Sequence, residues 1–364
     1  MKEKESPIQF SVGHGRGGAT SVDLFSYTLP EELIAKHPTE RRDGSRLMVC
    51  PRGGGVVEHR LFHQITDYFR AGDLLILNDT RVIPARLIGR KVTGGEVELL
   101  LVRKICDGED AQRWSAMIKP SRGVREGTTI RLPKGLAAEV LRRVDNGWWE
   151  VNLTANGQVD PLINEVGRMP LPPYIKRPST DSDRERYQTI FAKREGAIAA
   201  PTAGLHFTDE IIHRLGEMGV EVRFITLHTG PGTFLPVRTD IVEDHTMLPE
   251  YYEIGETTFA AVMKANGEGR RVIAVGSTAT RAIEAAVSDG FDSPTLAGST
   301  GLFIYPGYTF RVIDAIITNF HLPRSTLIML VAAFAGREAT LRFYREAVRE
   351  RYRFFSYGDA MLIL

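Results

Sequence analysis

The stretch DEIIHRLGEMGVEVRFITL, residues 209–227, decides the fold. Thr208 stands before it as an N-cap, Asp209 and Glu210 occupy a first turn, and Ile211, Ile212, Leu215 and Met218 recur on one face, as in a half-buried helix. A strand, VEVRFITL, follows at once. TTFAAVMKANG followed by RRVIAVG repeats the arrangement, and helices of about ten residues alternating with strands are the mark of an α/β sheet. From Asp73 to Leu153 the pattern is different. LLILND, VIPARLIGRKV, GEVELLLVRKI, RWSAMIKP, TTIRLP, AAEVLRRV and WWEVNL are short and β-like, with TGGE, DGED and DNG between them, at the spacing of a small barrel. The expected fold class is therefore α/β with an inserted β-barrel, in two domains. Residues 1–22 are expected to be a disordered tail, 23–72 and 154–364 a discontinuous α/β domain, and 73–153 the barrel.

The whole-chain composition narrows the partners. The 364 residues are 43% hydrophobic and 25% charged, and 46 basic against 45 acidic residues give a formal charge of +1. A nucleic acid would have to be held by local patches and not by a global field. Cys50 and Cys106 have no CxxC spacing, so neither a disulfide framework nor a zinc site is expected. His59 and His63 are four apart without an acidic or cysteine companion, and no metal is expected there either. STLIMLVAAFAG, residues 325–336, is too short to span a bilayer and the N-terminus lacks an apolar signal core, so a cytoplasmic protein without membrane contact is expected.

Four loops carry the candidate chemistry. APTAGLHFT, residues 200–208, is uncharged, small and hydroxyl-rich, with one titratable ring, His206, beside Thr202 and Gly204. LHTGPGTFLPVR follows a strand and combines Gly230, Pro231 and Gly232, which permit close backbone approach, with His228, Thr233 and Arg238. GSTATRAIEAAV follows another strand and offers Gly276, Ser277 and Thr278 as free N–H groups at a helix start, with Arg281 and Glu284 in the following turns. ITNFHLPRSTL ends a further strand with Asn319 and His321. Loops at strand carboxyl ends are where α/β sheets bind ligands, so three of the same character suggest one site. In the barrel segment, Asn78, Asp79, Arg81 and Arg86 surround a turn, and Lys119, Ser121 and Arg122 lie in MIKPSRG. Singly each reads as a solvated rim; together they would suit a phosphate backbone.

These motifs, with RMPLPPYIKRP, DRERYQTIFA, FIYPGYTFRVIDAIITNFHLPRSTLIMLVAAFAG and YRFFSYGDAM, resemble the S-adenosylmethionine:tRNA ribosyltransferase-isomerase family of queuosine biosynthesis from about Phe25 to Met361. The chain departs from the family pattern in GSTATRAIE and at Leu248 and Pro249. The resemblance implies that the ribosyl part of S-adenosylmethionine is transferred to 7-aminomethyl-7-deazaguanine at a tRNA wobble position. Rearrangement gives epoxyqueuosine-tRNA, and adenine and methionine are released. A neutral base is needed for the C5′ proton beside the sulfonium, for which His206 and then His228 are the candidates. Thr202, Gly204, Gly230, Gly232, Thr233, Gly276, Ser277, Thr278, Arg281, Glu284, Asn319 and His321 are expected to bind S-adenosylmethionine. Asn78, Asp79, Arg81, Arg86, Lys119 and Ser121 are expected to bind tRNA. Phe207, Phe234 and Tyr305 offer aromatic faces to the cation. A monomer or weak homo-oligomer is expected. The rival readings are an S-adenosylmethionine-dependent RNA methyltransferase, which should show a glycine-rich turn after its first strand and an acidic residue ending the second, and a non-catalytic tRNA-binding module, which has no need of the strand-end loops.

Overall fold

A computed structural model describes residues 19–144, 147–234 and 237–364. Its largest element is a nine-stranded mixed sheet in the spatial order Ala297–Thr300, Glu250–Ile254, Glu221–Leu227, Leu74–Asn78, Val272–Val275, Ala315–Asn319, Ala360–Ile363, Arg46–Cys50 and Glu58–Leu61. The third to sixth of these run parallel. Their side chains alternate between two cores. Leu75, Leu77, Ile273, Val275 and Ile317 meet Phe62, Ile65, Ile211 and Leu215 on one face. On the other, Leu74, Ile76, Val272, Ala274 and Ile316 meet Val262, Ala282, Ile283, Met329 and Phe343. The helix foreseen after Thr208 spans Asp209–Glu217, with the Thr208 hydroxyl accepting from the Ile211 N–H.

Six strands, Arg86–Lys91, Glu96–Cys106, Ala111–Lys119, Thr129–Arg131, Ala137–Arg143 and Trp149–Thr154, close into a barrel around Leu87, Leu99, Trp114, Ile118, Val140 and Val151. The α/β class with a β-barrel is thus present. Two boundaries differ from expectation. Leu74–Asn78, placed in the barrel from sequence, is a central strand of the large sheet. Its five consecutive buried residues mark a strand covered on both faces, whereas a barrel strand such as Glu96–Cys106 alternates. Of the expected tail, residues 1–18 lie outside the described residues. Thr20 and Val22 are instead tied down, with Val22 N–H on the Asp240 carbonyl and Val242 N–H on the Thr20 carbonyl, both at 2.9 Å, and with Val22 fully buried.

Candidate active site at the carboxyl ends of the parallel strands

The four parallel strands end together at Leu227, Asn78, Val275 and Asn319, and two cavities open beyond them. The segment 228–233 separates the two. Thr229 and Thr233 line a pocket on one side, while His228, Gly230, Pro231 and Gly232 line a cleft on the other.

The pocket gathers Thr202, Thr233, Gly276, Ser277, Thr278, Asn319 and His321, so the loops after three parallel strands do meet, joined by Thr202 of the uncharged segment. Gly276 turns from strand to helix at φ 86°, a conformation that favours glycine, and the helix Gly276–Ala286 has no side-chain cap. Its first N–H groups are left for a ligand. The Thr229 and Thr278 hydroxyls are buried without a hydrogen-bond partner among the described residues. Leaving each unpaired costs about 1–3 kcal/mol, which a polar ligand would offset. Tyr174, Phe320 and Phe355 supply aromatic wall, and Tyr174 and Phe355 pack with ring centroids 4.1 Å apart. No local sequence signal pointed to Tyr174, Thr229 or Phe355.

His206 does not line this pocket; it stands behind it. Its Nδ1 lies 2.7 Å from Ser45 Oγ and its Nε2 donates to Asn319 Oδ1 at 3.2 Å, while the Asn319 amide donates to the Phe355 carbonyl at 2.9 Å. The ring stacks on Phe62 at 4.9 Å. With both nitrogens bonded within the protein, the geometry gives His206 the task of orienting Asn319 and not of taking a substrate proton. Burial, reinforced by Arg353 and Arg42 and opposed by the Asn319 hydrogen bond, pushes His206 down to about 4, and burial pushes His321 down to about 3. The unfolded chain takes up these protons below about pH 6.5. Stability contributed by the neutral rings is therefore complete above that pH and is lost as pH falls toward 4. Denaturant midpoints are expected to decline from pH 6.5 to 5, with a total loss on the order of 3 kcal/mol for His206 by pH 4. A midpoint flat across that window would mean that the folded rings carry charge.

His228 has the opposite surroundings. It is half-buried, with Nδ1 2.8 Å from Thr80 Oγ1 and its ring stacked on Tyr251 at 6.0 Å. In the tautomer in which Thr80 Oγ1 accepts from Nδ1–H, the hydroxyl is free to donate toward the Arg194 carbonyl 3.5 Å away. Nε2 is left with a lone pair and has no hydrogen-bond partner among the described residues. Gly196 makes room for the ring, since a Cβ there would lie 2.9 Å from Nε2. Burial lowers the His228 pKa, against the pull of Asp79 and Glu253 and with the help of Arg194.

The remaining expected ligand residues have structural partners. Gly204 packs against Phe191 and Thr189, where a Cβ would lie 2.9 Å from each. Arg281 Nη1 and Glu250 Oε2 form a buried ion pair at 2.5 Å, and Arg281 Nε donates to the Leu302 carbonyl. Glu250 Oε1 accepts from Gly230 N–H at 2.8 Å and Thr233 Oγ1 at 3.3 Å, so this carboxylate fixes the segment between the cavities. Glu284 accepts from the Tyr308 hydroxyl and from the N–H groups of Arg311, Val312 and Ile313. Arg281 and Glu284 thus brace the pocket without lining it. Phe207 is buried against Phe62, Tyr305 packs on Phe303, and the Phe234 side chain lies outside the described residues.

The cleft holds about 780 Å3 between sheet and barrel. Its barrel wall carries Arg103, Lys104, Trp114 and Trp148, and its sheet wall His228 and Tyr251. The expected tRNA residues are scattered. Asn78 is buried, bonding the Leu227 carbonyl and N–H at 3.0 Å, and Asp79 accepts from Thr226 Oγ1 at 2.6 Å. Arg86 is held by the Leu171 carbonyl at 3.1 Å. Arg81 is exposed, 3.7 Å from Glu195. Lys119 and Ser121 are exposed, but Lys119 stands in register with Glu98 of the adjacent barrel strand, at the opposite end of the strands from Arg103 and Lys104. Among the described residues no group of three or more His, Cys, Asp or Glu is placed to hold a metal, and no helix is long and apolar enough to cross a membrane.

The family model described as "Queuosine biosynthesis protein" matches residues 22–363. The S-adenosylmethionine:tRNA ribosyltransferase-isomerase of Pelobacter propionicus is 51% identical over 342 residues, covering 94% of this chain and 99% of that protein. The protein of the same name from Anaeromyxobacter is 53% identical over 340 residues, covering 93% and 97%. The crystal structure of S-adenosylmethionine tRNA ribosyltransferase from Thermotoga maritima is 38% identical and superposes with a TM-score of 0.53, covering 94% of this chain and 100% of that one. With two cavities at the strand ends and a match along nearly its whole length, the chain belongs to the queuosine biosynthesis protein family.

Proposed function

We propose that this chain is an S-adenosylmethionine:tRNA ribosyltransferase-isomerase that acts across the segment 228–233. The observation that carries the reading is this segment, which stands between a pocket at a helix N-terminus and a cleft facing the barrel and carries the unpaired Nε2 of His228 at the cleft wall. S-adenosylmethionine has its polar end in the pocket and its ribose reaching past the segment 228–233 to the cleft wall. The free N–H groups of Gly276–Thr278 and the Thr229 and Thr278 hydroxyls receive its polar groups, Thr202 donates toward the departing adenine, and Tyr174, Phe320 and Phe355 face the sulfonium. The modified base of the tRNA enters the cleft, where Trp148 and Tyr251 offer stacking faces and Arg103 meets phosphate, while Lys104 is held by Asp107 and Asp160. His228 Nε2 takes the C5′ proton, and the aminomethyl nitrogen of the base is the nucleophile.

Isotope fate tests the reaction. Carbon label in the ribose of S-adenosylmethionine is expected in the tRNA, methyl label is expected to leave with methionine, and free adenine is expected in step with modified tRNA. A tRNA with unmodified guanine at the wobble position has no aminomethyl nitrogen and is expected to give no labelled product. Methyl label in the RNA would reassign the chain to methyl transfer.

A further inference from the structure

Behind His206, on the far side from the S-adenosylmethionine pocket, a third concavity is lined by Thr39, Arg42, Arg186, His206, Ser356 and Tyr357. Its two arginines break an ordinary rule. Arg42 donates to the carbonyls of Leu205 at 3.3 Å and Glu185 at 3.0 Å, and Arg186 to those of Glu40 at 2.9 Å and Thr39 at 2.7 Å. Neither guanidinium has a carboxylate within ion-pair distance among the described residues, and Arg186 Nε is buried with no acceptor at all. Two half-buried like charges, with Glu185 and Asp209 acting on Arg42 only from beyond ion-pair distance, repel each other and leave the Arg186 Nε donor open. The effect reaches neighbouring groups: Arg42 loses proton affinity through burial and then through Arg186, more than Glu185, Tyr357 and Asp209 restore, and Arg42 and Arg353 both push against a charge on His206. An oxyanion offers several acceptors and a negative charge in direct contact, and the arginine fork suits phosphate.

We propose that this concavity is a phosphate site that grips the sugar-phosphate backbone of the tRNA. The assignment rests on the functional reading above and deepens it. The site adjoins the reaction chamber, because Ser356 lines both cavities and His206 bonds Asn319 of the pocket. The same wall separates it from the pocket, which favours an RNA phosphate over the carboxylate of S-adenosylmethionine as the anion.

The test measures tRNA affinity over a range of salt, and S-adenosylmethionine affinity separately, for the intact protein and for Arg42→Ala, Arg186→Ala and Thr39→Glu. Each arginine variant is expected to bind tRNA roughly tenfold more weakly. Its slope of log affinity against log salt should be shallower by about one unit, with S-adenosylmethionine affinity unchanged. Thr39→Glu leaves both arginines and their carbonyl contacts in place and brings a carboxylate to the mouth of the site, so it guards against misfolding of the arginine variants. It is expected to weaken tRNA binding by a similar factor without lowering the melting temperature. Unchanged tRNA affinity and slope in Thr39→Glu and in folded arginine variants would overturn the phosphate site alone. Loss of S-adenosylmethionine affinity with tRNA binding intact would overturn it in favour of the carboxylate. Failure of the intact protein to bind tRNA would remove the functional reading and this proposal with it.

Discussion

His228→Ala is expected to lower turnover by roughly a hundredfold or more while leaving S-adenosylmethionine binding within a few-fold, because general base catalysis is typically worth that much and the ring stands at the cleft wall, outside the pocket. The base must be neutral to work. Burial holds the His228 pKa below its ordinary 6.5, so activity is expected to rise with pH along a limb lying below 6.5 and to reach a plateau before neutrality. The variant's residual activity should lack that limb. Thr80→Val probes the same chemistry from the other side of the ring. Without the hydroxyl that accepts from Nδ1–H, the proton can move to Nε2 and the imidazolium loses a partner. Turnover should then fall about tenfold and the limb should move to lower pH, and Thr80→Ser should restore both. A full-strength His228→Ala enzyme, or an unaltered pH profile in it, would remove this histidine from the proton chemistry.

Glu250→Ala is expected to have the largest effect on stability, about 3–5 kcal/mol, because it leaves the buried Arg281 guanidinium without its counter-charge. Against a typical total of roughly 5–15 kcal/mol, that brings the protein close to unfolding at ordinary temperature. Denaturant titration measures it. A double variant, Glu250→Leu with Arg281→Met, removes both charges together and should recover most of the loss. It should not recover S-adenosylmethionine affinity, since Gly230 N–H and Thr233 Oγ1 would still lack the oxygen that positions them. A fully stable Glu250→Ala would mean that Arg281 finds another anion or water.

The α/β alternation was legible where a helix, such as Asp209–Glu217, buries one face and leaves its periodicity in the chain, whereas Gly276–Ala286 is buried on nearly every side. The strand Leu74–Asn78 was misassigned by position in sequence, although its unbroken apolar run carried the information that both its faces are covered. In the site, Gly276–Thr278 and Asn319–His321 were readable as strand-end loops, since parallel strands present their carboxyl ends on one edge. Glu250 was not, because its importance lies in what faces it: Arg281 on a helix and Gly230 on a loop. His206 illustrates the limit of residue character. Its chemistry fits a base, and only the positions of Ser45 and Asn319 show that both nitrogens are engaged.

The strand Ala360–Ile363 lies between Ala315–Asn319 and Arg46–Cys50 and pairs with both. During synthesis the ribosome therefore releases Arg46–Cys50 long before the partner that joins it to the rest of the sheet exists. Leu74–Asn78 waits in the same way for Glu221–Leu227. The barrel, by contrast, draws all six strands from one continuous run of chain, so it can close while Leu74–Asn78 is unpaired and the hairpin of Arg46–Cys50 with Glu58–Leu61 still lacks its partner on one edge. Leu74–Asn78 and the free edge of Arg46–Cys50 are apolar and open in the interval, which makes the nascent sheet, and not the barrel, the part of this chain most exposed to mispairing and the part a holding chaperone would protect.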